Sequence, residues 1–154
     1  MLIFLDIDGV MVPAKSWVSP EFLLDEFPIF SSKAVLTLNK VITDEDTVIL
    51  TTSHKSKFNL EKWKNIFLDR GIHLKKIKSL PGNFSNLSRK DELLNYFYCN
   101  NVQENFVIID DDKSLNELPK ELKDNLIQTS SHIGLREEHV EEIKSILNRT
   151  LKSV

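Results

Sequence analysis

Three apolar runs in this 154-residue sequence end in residues able to do chemistry. LIFL runs into Asp6, Ile7, Asp8 and Gly9; TVIL runs into Thr51, Thr52, Ser53 and His54; and FVII runs into Asp110, Asp111 and Asp112. Side chains alternate along a strand, so carboxylates at positions 6 and 8 fall on one side of the chain. Like charges that close are costly unless something positive sits between them. A pocket of Asp6, Asp8 and Asp111 is rich in hard oxygen donors and strongly negative. Mg²⁺ suits such a pocket, because it takes a few carboxylates and keeps several waters.

These residues must be brought to one place by the elements that carry them. The apolar pattern predicts βα units in series, with strands at Leu2–Ile7, Thr47–Thr51, Phe106–Ile109 and Leu126–Thr129 and a short lysine-protected edge strand within HLKKIKSL. Ser31 or Ser32 caps a first helix with Val35, Leu36, Leu38, Val41 and Ile42 inward, and a second runs from Leu60 to Arg70 with Trp63, Ile66 and Phe67 inward and Gly71 as its stop. Ser88 with Asp91 opens a third helix at SRKDELLNYF, and residues 137–151 form a terminal amphipathic one. Pro13, Pro20 and Pro28 mark the roughly 20 residues after the first strand as loop or small hairpin. Strands alternating with helices imply an α/β fold, a parallel sheet covered on both faces. Ligands of such sheets bind beyond the carboxyl ends of the strands, where all three polar stretches fall.

Composition excludes several classes. Apolar residues make up 41% and charged residues 28%, a globular balance, and the length suits one domain over residues 1–154. No apolar run approaches the roughly 20 residues of a membrane span, and no secretory leader is expected. One cysteine, Cys99, permits no internal disulfide and fits a cytoplasmic setting, and the four histidines show no zinc-ligand spacing. Net charge is −3 but uneven: between residues 55 and 78 eight basic side chains stand against Glu61 and Asp69, net +6, which leaves −9 for the rest. That segment is either a solvated helix face with an exposed strand or a patch that attracts a polyanion.

The four stretches FLDIDGV, VILTTS, SRKDELL and VIIDDD resemble, in order and spacing over residues 2–112, the four motifs of the haloacid dehalogenase (HAD) superfamily of phosphohydrolases. The resemblance implies a Rossmann-like fold, an aspartyl-phosphate mechanism and Mg²⁺. Asp6 would be the nucleophile and Asp8 the general acid and base, with Thr51 and Lys90 holding the phosphoryl oxygens. Mg²⁺ would be held by Asp6, the backbone carbonyl of Asp8 and Asp111, with Asp110 as a further or outer partner and Asp112 capping the next turn. Thr51 and Thr52 compete for one role, and Thr51 is preferred as the last residue of its strand. Gly9 suits a sharp turn that leaves backbone amides free for phosphate.

Members of the superfamily often insert a cap domain after the first motif or between the second and third. Val10 to Thr47 and Ser53 to Arg89 are too short for a full cap, so the site should be open to large substrates. The chain is most similar to the small bacterial HAD domains associated with RNA repair, through its IFLDIDGV start, its IIDDD stretch and the late HIGLREEHVEEIKSIL. A Mg²⁺-dependent phosphomonoesterase acting on a nucleotide or a polynucleotide end is the expectation, working as a monomer. His54, Thr52, Lys55 and Lys57 would lie beside the site against a phosphate backbone, and Trp17 and Phe22 are candidates for base stacking. The alternatives are a phosphatase of a small metabolite or phosphoprotein, and a non-catalytic phosphate-binding module. The intact Asp6 and Asp8 pair argues against the last.

Overall fold

The computed structural model describes residues 1–14 and 20–152, the last four through their backbone. Trp17 lies outside the described residues. Five strands, β1 (Leu2–Leu5), β2 (Thr47–Leu50), β3 (Lys76–Ser79), β4 (Phe106–Asp110) and β5 (Leu126–Gln128), form one parallel sheet in the order β3-β2-β1-β4-β5. The order reverses at β1, so the first strand is central and its carboxyl end opens on the crevice where such sheets bind ligands.

Period-two alternation sends the strand residues to two cores. Ile3, Leu5, Val48, Leu50, Val107 and Ile109 face α1 (Ser32–Val41), α2 (Leu60–Asp69) and α5 (His139–Lys152). Leu2, Phe4, Ile49 and Ile108 face α3 (Arg89–Asn100), whose Leu93 packs there with Leu115 and Leu118. Those last two come from a 3₁₀ turn at Lys113–Glu117 and its exit, followed by the one-turn α4 (Lys120–Lys123). Among the described residues no cap domain interrupts this arrangement.

Local signals set the helix starts. Ser31, Asn59 and Ser88 each accept a hydrogen bond from the backbone N–H three residues on, satisfying a donor the helix itself leaves unpaired. Three expectations shift. Leu36 is exposed, because it stands two residues from the buried Leu38 and therefore roughly opposite it on the helix. β1 ends at Leu5 rather than Ile7, since the chain folds back at once and Val10, Met11 and Val12 all donate to the Ile7 carbonyl. The 3₁₀ turn and α4 were not foreseen, although Asp112 caps the former through the N–H of Ser114.

The long loop after β1 is pinned from two sides. The Arg70 guanidinium donates to both carboxylate oxygens of Asp25 and to the carbonyls of Phe27, Pro28 and Ile66, and this hydrogen bonding holds Asp25 below the usual carboxylate range. On the other side the Gly-Leu turn of HIGL grips the loop's start, with the N–H of Leu135 donating to the carbonyl of Val10 at 2.8 Å. Gly134 has φ +78°, and a Cβ there would stand 2.6 Å from that same carbonyl oxygen, so the turn requires glycine.

Candidate active site

The ends of the three central strands meet on the α3 face. Asp6 continues β1 by donating its N–H to the carbonyl of Ile109, and Thr51 continues β2 by donating to that of Leu5. Because Phe4, Ile49 and Ile108 face α3, the residues two further on, Asp6, Thr51 and Asp110, face it as well. All three are buried. One oxygen each of Asp6, Asp110 and Asp111 lie within 4.8 Å of one another, the group of acids among the described residues placed to hold a metal ion.

Each acid has a distinct setting. Asp110 accepts from the N–H of Asp112 at 3.0 Å, from the Thr51 hydroxyl at 3.4 Å and from Arg89 Nη1 at 2.5 Å. Asp6 lies 3.5 Å from the same guanidinium. Burial first, and then the neighbouring Asp110 charge, push the Asp6 carboxyl up to about 9, with Arg89 pulling against them. Burial raises Asp110 too. Two buried acids this close cannot both ionise on one guanidinium without strain, so the pair has the electrostatics of a site that accepts a further cation. Asp111 reaches across from β4 to Gly9, where a Cβ would stand 2.0 Å from its Oδ2. The glycine, at φ +79°, thus leaves the space the third carboxylate fills. Its N–H donates to the carbonyl of Val12 and is not free for phosphate, contrary to expectation. Three hard oxygen donors around one point fit Mg²⁺.

Thr51 and Thr52 separate by the same alternation. Both are buried, but the Thr51 hydroxyl lies at the carboxylates while that of Thr52 accepts the N–H of His54 and shapes the turn. Asp8 lies outside the three-acid cluster. Its carboxylate is more than half exposed and meets His54 Nε2 at 2.8 Å, and the His54 ring packs edge-on against Phe27.

Two lysines go elsewhere than expected. Lys90 Nζ lies 3.6 Å from Glu117, and the cation at the acid pair is its neighbour Arg89. Successive helix residues point about 100° apart, so only one of the two can face the strand ends. Arg89, four residues before the fully buried Leu93, lies on the inward stripe, a signal the helical period carried. Lys55 is buried and donates to Glu92 at 2.8 Å, so it is not a surface contact for a phosphate backbone. Glu92 in turn stands 3.7 Å from Arg89 Nε, which joins Lys55, Glu92 and Arg89 to the acids in one chain of charges.

Of the eight basic residues between 55 and 78, Lys55 and Arg70 are therefore internal. Lys57 is exposed in the turn after β2, whereas Lys64, Lys75, Lys76 and Lys78 line a groove of about 390 Å³ along the β3 edge. That groove includes Thr47, at the start of β2, so it extends toward the end of the sheet away from the acids. Phe22 is exposed and forms an isolated bridge with Pro28.

A family model described as the HAD domain in Swiss Army Knife RNA repair proteins matches residues 2–140. The chain belongs to this family. No curated protein and no solved structure matched the chain. The match takes in all five strands of the HAD domain and the Gly-Leu turn that grips its β1 loop. None of the described helices is long and apolar enough to cross a membrane.

Proposed function

We propose that this HAD domain, acting as a single domain, is a Mg²⁺-dependent phosphomonoesterase that removes phosphate from a nucleic-acid end through an aspartyl-phosphate. The observation that carries the reading is the buried Asp6 at the end of the central strand, with Asp110, Asp111, Thr51 and Arg89 around it, in a chain of an RNA repair family. Asp6 attacks phosphorus in line, forming a bond from its carboxylate oxygen as the bond to the leaving oxygen breaks. Asp8, at the open rim, gives its proton to that oxygen, then takes one from the water that attacks the aspartyl-phosphate and frees Asp6. Arg89 and the Thr51 hydroxyl donate to the phosphoryl oxygens. Asp6, Asp110 and Asp111, with the Asp8 carbonyl, would hold Mg²⁺, which would supply charge neutralisation and favour the ionised form of Asp6.

The deciding experiment is phosphate release from 5′- and 3′-phosphorylated oligoribonucleotides, matching oligodeoxyribonucleotides and 4-nitrophenyl phosphate, with and without Mg²⁺. Metal-dependent release from an oligonucleotide whose KM rises steeply with salt, beside a shallow slope for the aryl ester, supports the reading. Release confined to small esters sinks the nucleic-acid part, and no release from any substrate sinks the enzyme.

His54 orients Asp8 for its two proton transfers. His54→Ala is expected to lower kcat about tenfold on an alkyl phosphate with little change in KM. The loss should be smaller on 4-nitrophenyl phosphate, whose leaving group needs less protonation, and His54→Gln should recover part of it. Equal losses on both esters would remove His54 from the acid step.

A further inference from the structure

Beside the acids lies a second concavity that the chemistry above does not use. The loop from Leu80 to Ser88 and the outer side of α3 enclose a cleft of about 270 Å³, lined among others by Phe84, Asn83, Asn95, Tyr96, Cys99 and Glu92. Glu92 is shared between the cleft and the charge chain, since the same carboxylate pairs with Lys55 and stands beside Arg89. The cleft therefore adjoins the phosphoryl site across one helical side chain.

Its lining is unlike an ordinary surface hollow. Phe84 is 98% exposed, an aromatic ring that the fold leaves almost wholly to solvent. Asn83 accepts the N–H of Leu87 and donates to its carbonyl, both at 2.8 Å, which closes the loop that carries the ring. A Cβ on Gly82 would come within 2.9 Å of the Phe84 ring edge, so the ring lies against bare backbone. Across the cleft, Tyr96 is fixed by its edge-on contact with Phe4 of the central strand. Asn95 adds an amide able to donate and accept. Ser56, in the turn after β2, brings its hydroxyl oxygen to 3.5 Å from the position of a Gly82 Cβ, so a second polar group flanks the loop.

We infer that this cleft is a nucleobase site, taking the base of the nucleotide next to the scissile phosphate, with Phe84 as its stacking platform. The inference rests on the nucleic-acid reading above and adds where the substrate is gripped. An exposed ring, an amide edge and a neighbouring phosphoryl site match the base and the phosphate of a nucleotide. Base stacking is sequence-tolerant because every base offers a π-face, which suits an enzyme that works on ends of any sequence.

The test uses the full chain and two oligoribonucleotides with the same terminal phosphate, one intact and one abasic at the last nucleotide. Phe84→Ala should raise KM for the intact substrate about tenfold and leave 4-nitrophenyl phosphate unchanged. The abasic substrate should be about as poor for the wild type as the intact one is for Phe84→Ala, with no further loss on combining the two. Cys99, the one cysteine of the chain, lines the same cleft and gives a readout independent of turnover. In Asp6→Asn protein the intact oligonucleotide should slow its reaction with a maleimide, and the abasic one should not. If the wild type turns over both oligonucleotides equally and Cys99 stays equally reactive, the base site is overturned while the nucleic-acid reading stands. If no oligonucleotide is turned over at all, that reading fails first and takes the base site with it.

Discussion

Replacing Asp6 by asparagine is expected to lower phosphate release by at least about 10⁴-fold and, in the metal-free protein, to raise the melting temperature. The first effect follows from the loss of the attacking oxygen, since removing a nucleophile from a unit that works together forfeits nearly all of its rate. The second follows from burial. The Asp6 carboxyl is raised from 3.8 to about 9 because burial and the adjacent Asp110 both disfavour its charge. Between those values the native chain holds a proton that the unfolded chain releases, so stability falls as pH rises through the window from about 4 to about 9. Asparagine keeps the shape and carries no such cost. The gain is therefore the linkage cost that the native carboxyl carries and asparagine does not, read at about 2–4 °C per kcal/mol in a chain of this size. Thermal melts in EDTA at pH 5.5 and pH 8.5 test this, with the gain expected to grow at the higher pH. A variant less stable than wild type at pH 8.5 would mean that the acids are not in conflict. The two effects together are the signature of a site built for chemistry at the expense of the fold.

Most of the scaffold was legible because it rests on local rules. The strand runs, the caps at Ser31 and Ser88 and the Gly71 stop depend on residue type and spacing within a few positions. The central place of β1 came from the strand order, which no local signal carries. What was not legible depended on a face or a depth. Leu36 and Lys90 sit one or two positions from the residues that face inward, and residue type or motif position alone, without the helical stripe through Leu38 and Leu93, misplaces both. Lys55 reads as one more surface lysine, and only the approach of α3 brings Glu92 to cover it. Gly9 was correctly expected at a sharp turn, yet its consequence lies across the sheet, in the room it leaves for Asp111. The choice between Thr51 and Thr52 was open to a parallel register alone: once β1 and β2 pair Leu5 with Leu50, Thr51 must share the face of Asp6.

Arg89 and Lys90 supply the contrast that decides which cation serves the phosphoryl group. Arg89→Met is expected to cost about 10²–10³ in kcat, the usual loss on removing one donor from a charge-stabilising site, whereas Lys90→Met should stay within about threefold of wild type. The reason is placement: Arg89 Nη1 touches Asp110, Asp6 and Thr51, while Lys90 points to Glu117. Burial works against the Arg89 charge, but Asp110 and Asp6 more than offset it and raise its pKa, so it is a fixed cation at any working pH. Removing it leaves two buried acids without their counter-charge, and breaking such a pair costs about 3–5 kcal/mol. That loss should shrink at low pH, as the acids take up protons, and shrink again on adding Mg²⁺, because a divalent ion restores what the guanidinium supplied. Arg89→Lys keeps the charge without the fork and should recover stability more than rate. Kinetics and melts of the three variants, with and without Mg²⁺, give the answer. A dead Lys90→Met beside an active Arg89→Met would move the phosphate-binding role back to the lysine and leave Arg89 as a purely structural counter-ion to Asp6 and Asp110.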